Sequence, residues 1–134
     1  MVLGMDPVRT DSPDFPSGYE VTVRGFRERT GLDAVEWARR AVDLGAGEIV
    51  VNSVDADGTR SGFELELTRL RADAVGVPVV ASGGAGSPLH VADAFTAGHA
   101  DAAIVAGMIH TGEWTIGQIK SFLSSAGIPV RRTW

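Results

Sequence analysis

Short apolar runs alternate along this chain with longer segments in which apolar residues recur at the spacing of a helix. Ile49, Val50 and Val51 form one run, and an unbroken set of β-branched residues is typical of a strand buried on both faces of a parallel sheet. Strands are predicted at residues 2–5, 48–51, 77–81 and 102–105. A helix is predicted after each strand: from Thr30 or Asp33 to about Leu44, and then at about 64–75, 88–97 and 115–125.

Four strand–helix units in succession predict an α/β protein with a parallel sheet and right-handed crossovers. Each unit is as long as one unit of a (β/α)8 TIM barrel, so a (β/α)4 half barrel is predicted over residues 1–134, as a single domain. A flavodoxin-like open sheet satisfies the same local pattern and stays open as an alternative. At about 7–30 the prolines predict an irregular loop, and the alternation from Tyr19 to Arg24 predicts a short surface strand or hairpin.

Composition narrows the classes of protein to which this chain can belong. A net charge of -5 with 12 scattered basic residues argues against a nucleic-acid-binding surface, which needs clustered Lys and Arg. No apolar run is long enough to span a bilayer and the start has no signal peptide, so a soluble, cytoplasmic protein without a membrane partner is predicted. The chain contains no cysteine, which excludes thiolate nucleophiles and sulfur-ligated zinc.

The segment after the second predicted strand is rich in polar and flexible residues. It holds Asn52, Ser53, Asp55, Asp57, Gly58 and Thr59. Ligands bind at the carboxyl ends of strands in α/β folds, so we expect this segment to line a binding site. Asp6 follows the first predicted strand in the same way, and Asp6, Asp55 and Asp57 are candidate acid/base groups. Asp57 with Gly58 is equally typical of a simple turn.

A glycine-rich loop, Ser82–Gly86, lies between the third predicted strand and its helix. Glycine lets backbone N–H groups approach an anion closely, and the start of a helix favours negative charge, so this loop is predicted to bind phosphate. Ala106 and Gly107 occupy the matching position after the fourth strand, and TIM barrels often bind phosphate at two such neighbouring loops. A tight turn without a ligand explains the glycine cluster about equally well.

The three histidines have no metal-ligand spacing, so neither a metal site nor another cofactor is predicted. His90 and His99 are expected on the surface of the third helix and the loop after it. His110 lies in a strand-to-helix loop at the predicted binding edge.

Three segments carry a family resemblance: NSVDADGTRSGF (Asn52–Phe63), VPVVASGGAG (Val77–Gly86) and GLDAVEWARRAVDLGAGEI (Gly31–Ile49). They resemble the carboxyl-terminal half of the cyclase subunit of imidazole glycerol phosphate synthase, a (β/α)8 barrel of histidine biosynthesis. The resemblance implies a lyase-type reaction in which ammonia from a glutaminase partner attacks a bisphosphorylated ribulosyl substrate. The substrate is then cleaved and closed into an imidazole.

The resemblance also implies roles for individual residues. Two aspartates on opposite strands serve as acid and base, and one of them corresponds to Asp6. The predicted catalytic residues are Asp6 and Asp57, and the predicted phosphate- or substrate-binding residues are Asn52, Asp55, Gly58, Thr59, Ser82, Gly83, Gly84, Ala106 and Gly107. The family's first half, with the other aspartate and a second phosphate site, has no counterpart in this sequence. In addition, Gly25 and Ala106-Gly107 stand where relatives often carry a hydroxyl residue.

An open half barrel exposes two strand edges and the apolar inward face of its sheet, which proteins remove from water by pairing. We therefore expect a homodimer or higher homo-oligomer, and a twofold dimer is the simplest way to complete eight strands. The two copies of Asp6 would then face each other. The alternative function is a catalytically inactive or engineered phosphate-binding (β/α)4 scaffold.

Overall fold

A six-stranded sheet with five helices makes up residues 1–131, the part of the chain that the computed structural model describes. In chain order the elements are β1 (Val2–Arg9), β2 (Tyr19–Val23), β3 (Glu28–Asp33), α1 (Ala34–Asp43), β4 (Glu48–Asn52), α2 (Leu65–Ala72), β5 (Val79–Ser82), α3 (Pro88–Thr96), β6 (Ala102–Ala103), α4 (Gly107–His110) and α5 (Ile116–Ser125). No helix in these residues is long and apolar enough to cross a membrane.

The strand order is β3-β2-β1-β4-β5-β6, and β1, β4, β5 and β6 are parallel neighbours in the order of the chain. Right-handed crossovers that always step in one direction place every connecting helix on the same face of the sheet. A flavodoxin-like sheet needs a reversal of direction to cover both faces, and the described strands contain none. The prediction of a (β/α)4 half of a TIM barrel is confirmed, and the doubly wound alternative is wrong.

One face of the sheet packs against the helices, and we call it the covered face. Ile49 and Val51 of β4 are 0% and 1% exposed, and they are in register with Leu3 and Met5 of β1 on one side. On the other side they are in register with Val79 and Ala81 of β5, which are also fully buried. Helix α1 packs in the same hydrophobic cluster as these strands through Ala34 and Ala38, whose small side chains let the helix approach the strands closely.

The opposite face, which we call the uncovered face, has no helix over it in the described residues. Val2 and Ile104 are 57% and 46% exposed, and Val50 is half-buried. Val80 belongs to neither of the two hydrophobic clusters that join the strands to the helices, although it is only 8% exposed. This face is therefore apolar without being packed. Strand β4 therefore does not have the burial on both faces that its composition predicts.

The hairpin of β2 and β3 extends the sheet beyond β1. Strand β2 pairs with β1 only from Asp6 to Arg9, and this pairing carries β1 through Pro7, where an irregular loop was predicted. The prediction that β2 lies on the surface is wrong, because β2 runs between β1 and β3, and four of its five residues are at most 5% exposed. Buried Glu20 accepts hydrogen bonds from Arg29 at 2.7 Å and from the Gly31 N–H at 2.9 Å.

Helix boundaries follow their capping residues. Of the two predicted caps for α1, Asp33 is correct, because its carboxylate accepts hydrogen bonds from the N–H groups of Val35 and Glu36. Thr30 lies within β3 instead. Helix α5 begins with a capping box between Thr115 and Gln118, next to its predicted start. The short helix α4 falls in a segment that was predicted to be a loop.

Candidate functional site

The loops that follow β4, β5 and β6 meet at one edge of the sheet and enclose a cleft of about 140 Å³, which we call the strand-tip cleft. Parallel strands end at the same edge, so residues distant in sequence come together there. The cleft is lined by Asp57, Gly58, Arg60, Ser82, Gly83, Gly84, Ala85, Ile104, Ala106 and Gly107. Seven of these residues were predicted from the sequence as site residues; Arg60, Ala85 and Ile104 were not.

The loop after β5 supplies backbone N–H groups that are free to bind a ligand. Within residues 1–131, the N–H groups of Gly83, Gly84 and Ala85 donate no hydrogen bond to another residue. Gly83 and Gly84 have φ angles of 86° and 100°, which side-chain-bearing residues rarely adopt. Consecutive amide groups in such turns form concave sites for anions, because their dipoles direct positive charge outward. The loop is chemically suited to a phosphate or carboxylate group.

Two glycines of this loop are needed for packing whether or not a ligand binds. A Cβ atom on Gly84 would lie 2.1 Å from the Gly62 carbonyl oxygen, and one on Gly86 would lie 2.1 Å from that of Arg60. The Gly62 N–H donates a hydrogen bond of 2.9 Å to the Gly84 carbonyl oxygen. The turn interpretation of the sequence therefore holds for these two positions. Gly107 differs from them, because an added Cβ there would meet no atom within 4 Å.

The loop after β4 is folded by its own side chains. The Ser53 hydroxyl accepts a hydrogen bond of 3.2 Å from the Ala56 N–H, and the Thr59 hydroxyl donates one of 2.7 Å to the Ala56 carbonyl. Asp55 accepts one of 2.8 Å from the Arg9 N–H, which ties the loop to the end of β1. Asp55 and Thr59 are thus placed outside the strand-tip cleft, where they hold the shape of the loop that forms its wall.

Asp6 and Asn52 lie beside the cleft rather than in it. The Asn52 side-chain amide donates a hydrogen bond of 3.2 Å to the Asp6 carboxylate, and Thr22 donates one of 2.6 Å to the Asp6 carbonyl. Asn52 is in register with Ser82, which lines the cleft. Asp6, Asn52 and Ser82 therefore form a polar row across the uncovered face, running from β1 to the cleft.

An ion pair ties the loop after β4, which lines the strand-tip cleft, to the segment after α4. Arg60, in the loop after β4, binds the carboxylate of Glu113, which follows α4. The Thr111 hydroxyl donates to the other oxygen of that carboxylate at 3.1 Å. The hydrogen bond from Arg60, followed by the one from Thr111, lowers the pKa of Glu113. Sequence reasoning missed this pair because its partners are 53 positions apart; the only available signal was the one cationic residue in the DGTRSG segment.

The histidines contribute to packing and surface ion pairs. His90 lies on α3 as predicted but is half-buried, and its Nδ1 accepts a hydrogen bond of 3.1 Å from the Gly86 N–H. Its ring also packs on Gly62, which places it between the loops after β4 and β5. His99 is exposed as predicted and binds Asp73 at 2.8 Å. The described residues contain no group of three His, Asp or Glu residues that could hold a metal ion.

Comparison with known proteins adds an independent line of evidence. A family model described as histidine biosynthesis protein matches residues 1–115. The imidazole glycerol phosphate synthase subunit HisF of Syntrophobacter fumaroxidans is 55% identical over 136 residues, and that of Desulforapulum autotrophicum is 53% identical over 135 residues. Each match covers 100% of this chain and 52% of the relative, so the chain spans about half the length of these curated relatives. The resemblance that the three sequence motifs indicate is confirmed.

Proposed function

Because this chain belongs to the histidine biosynthesis protein family, we propose that it is a phosphate-binding half barrel of an imidazole glycerol phosphate synthase cyclase. In this proposal the chain contributes one phosphate site and two acid/base aspartates, Asp6 and Asp57, to a full barrel. The barrel joins ammonia to a bisphosphorylated ribulosyl substrate, cleaves the product and closes an imidazole ring. The predicted cytoplasmic location and the docking of a glutaminase that supplies the ammonia belong to the same proposal.

The strand-tip cleft is the observation that supports this function most directly. Its floor offers the free N–H groups of Gly83, Gly84 and Ala85, and its walls come from two neighbouring loops with small residues, 57–60 and 104–107. A cleft of about 140 Å³ fits one phosphoryl group with its hydration better than a whole sugar phosphate. We therefore assign it the terminal phosphate of the substrate, with the rest of the molecule extending along the polar row.

Asp6 is the proposed acid/base residue. Its carboxylate lies on the uncovered face, at the end of the polar row that leads to the cleft, and the Asn52 amide orients it through one oxygen. The other oxygen has no hydrogen bond within residues 1–131, so it is available to exchange a proton with a substrate. Asp57 lines the cleft itself, and we propose that it is the second acid/base group, close to the bound phosphate.

The uncovered face supports the proposal that the chain acts as part of a larger barrel. In a closed barrel the inward residues of all strands pack on one another, so Val50, Val80 and Ile104 would be covered by four further strands. A second copy of the chain can supply them in a twofold dimer. Measurement of the mass in solution tests this step, and a well-folded monomer at micromolar concentration contradicts it.

Titration with inorganic phosphate tests the assignment of the cleft. We expect the backbone amide resonances of Gly83, Gly84 and Ala85 to shift on binding. Gly107→Val is the variant of choice, because the added side chain meets no protein atom near its Cβ, whereas a side chain at Gly84 would disrupt folding. Gly107→Val should fold and lose phosphate binding. Unshifted amides in the parent protein, or equal affinity in the variant, would contradict the assignment.

Complementation separates the cyclase from the second candidate, an inactive phosphate-binding scaffold. The chain is expressed in a histidine-requiring strain that lacks the cyclase, with Asp6→Asn as the control that keeps the hydrogen bond to Asn52. Growth that depends on Asp6 supports the cyclase. Phosphate binding without growth favours the scaffold.

A further inference from the structure

The ion pair between Arg60 and Glu113 joins one wall of the strand-tip cleft to the segment after α4. Arg60 lines the cleft from the loop after β4, and Glu113 follows α4, whose first residue, Gly107, lies in the opposite wall. Glu113 is held in place on its other oxygen by Thr111. Arg60 thus lines the space that the proposed phosphate occupies, and its guanidinium is already bound to one anion.

The charges around the cleft are unfavourable for a phosphate in this arrangement. Arg60 is the one cation and Asp57 the one anion among the ten residues that line the cleft. The carboxylate of Glu113 adds a second negative charge and binds the guanidinium. A phosphate dianion would then meet a net negative charge, offset only by the partial charges of backbone N–H groups.

We propose that Arg60 is a further binding residue for the phosphoryl group and that Glu113 competes with the ligand for it. On binding, the guanidinium exchanges the carboxylate of Glu113 for phosphoryl oxygens, which it can bind through two parallel N–H donors. Glu113 lowers the affinity and lets the phosphate leave again. This inference rests on the proposed function, since it assumes that the strand-tip cleft binds phosphate.

Titration of three variants with inorganic phosphate tests the exchange, with the amide resonances of the loop 83–85 as the site-specific signal. Arg60→Met should weaken binding about tenfold or more, because a charge-assisted hydrogen bond is lost. Glu113→Gln should strengthen binding by about two- to fivefold, the range expected from an exposed ion pair. The double variant should bind like Arg60→Met or slightly more tightly, because the competition requires Arg60 and only the direct repulsion by the Glu113 charge is then relieved.

The hairpin turn supplies a matched control. Arg24, like Arg60, has a positive φ angle and an exposed ion pair with one glutamate, Glu28, but it does not line the cleft. Arg24→Met and Glu28→Gln should leave the affinity unchanged. If the 83–85 amides report binding and Arg60→Met binds as tightly as the parent, the inference is overturned while the phosphate site stands. If phosphate shifts none of these amides in any variant, the proposed function fails, and the inference fails with it.

Discussion

The two faces of the parallel sheet have similar apolar side chains and very different surroundings. On the covered face, Ile49 is fully buried among residues of α1, α2 and the neighbouring strands. On the uncovered face, the next residue, Val50, is half-buried and packs in neither hydrophobic cluster. A strand's composition thus reports how much apolar surface it must bury, but it does not report whether one chain or an assembly buries it.

Alanine substitutions at two adjacent positions, Ile49 and Val50, test this difference and have the largest expected effect. Ile49→Ala should lower the free energy of unfolding by about 2–5 kcal/mol, because it removes buried methyl groups and leaves a cavity. Val50→Ala should cost less than about 1 kcal/mol when the chain is monomeric. Urea denaturation at a protein concentration low enough to give monomers measures both. Equal losses would show that the two faces are packed alike in the single chain.

A charged residue on the uncovered face should affect assembly more than folding. Val50→Lys is expected to leave the monomer within about 1 kcal/mol of the parent, since the side chain can reach water. In the proposed closed barrel the ammonium group would be buried without a partner, so the dimer dissociation constant should rise at least about tenfold. Sedimentation equilibrium measures this constant. An unchanged dimer would place the interface on another surface.

A smaller effect on stability, which depends on pH, comes from the N-cap of α1 on the covered face. Burial alone would raise the pKa of Asp33, but hydrogen bonds from Ser17, Glu36 and Val35 lower it overall. A carboxylate with a lowered folded pKa stabilises the protein fully above its unfolded pKa of about 4, and this contribution is lost as the pH falls through the folded value. Stability should therefore decline below about pH 4.

Two substitutions at this cap separate its charge from its hydrogen bonds. Asp33→Ala should cost about 1–2 kcal/mol at neutral pH, because α1 loses its N-cap. Asp33→Asn can still accept the hydrogen bonds, so it should cost less and show a weaker decline at low pH. Urea denaturation between pH 3 and 7 measures both variants. If the parent and Asp33→Asn have the same pH profile, other carboxylates such as Glu20 cause the decline.

Local patterns predicted the elements that local chemistry determines. The α1 cap at Asp33, the proline at the start of α3 and the β-branched run in β4 are all encoded within a few residues, and the structure agrees with them. The burial of β2 and the half-buried position of His90 depend on contacts with distant segments, so no local pattern indicated them. Strand β1 extends through Pro7 for the same reason, because β2 pairs with it there.

The candidate site also combines residues that local motifs indicate with residues that only the fold brings together. Glycine and aspartate after a strand are recognisable motifs, and seven of the predicted residues meet in one cleft. Motifs do not distinguish a glycine that faces a ligand from one that packs against a neighbouring loop. The packing of Gly84 against Gly62 is therefore seen only in the structure. Arg60 was missed because its importance depends on Glu113, and that contact forms only when two strand-to-helix loops converge.

The close contact and hydrogen bond between Gly62 and Gly84 hold the loops after β4 and β5 together. Substitutions that alter the proposed anion site can therefore be made only at positions outside that contact. Gly107 is the most permissive of them, since it has open space around it and a backbone that other residues can adopt. Libraries that randomise position 107 and keep residues 62, 84 and 86 as glycine should yield folded proteins with new ligands.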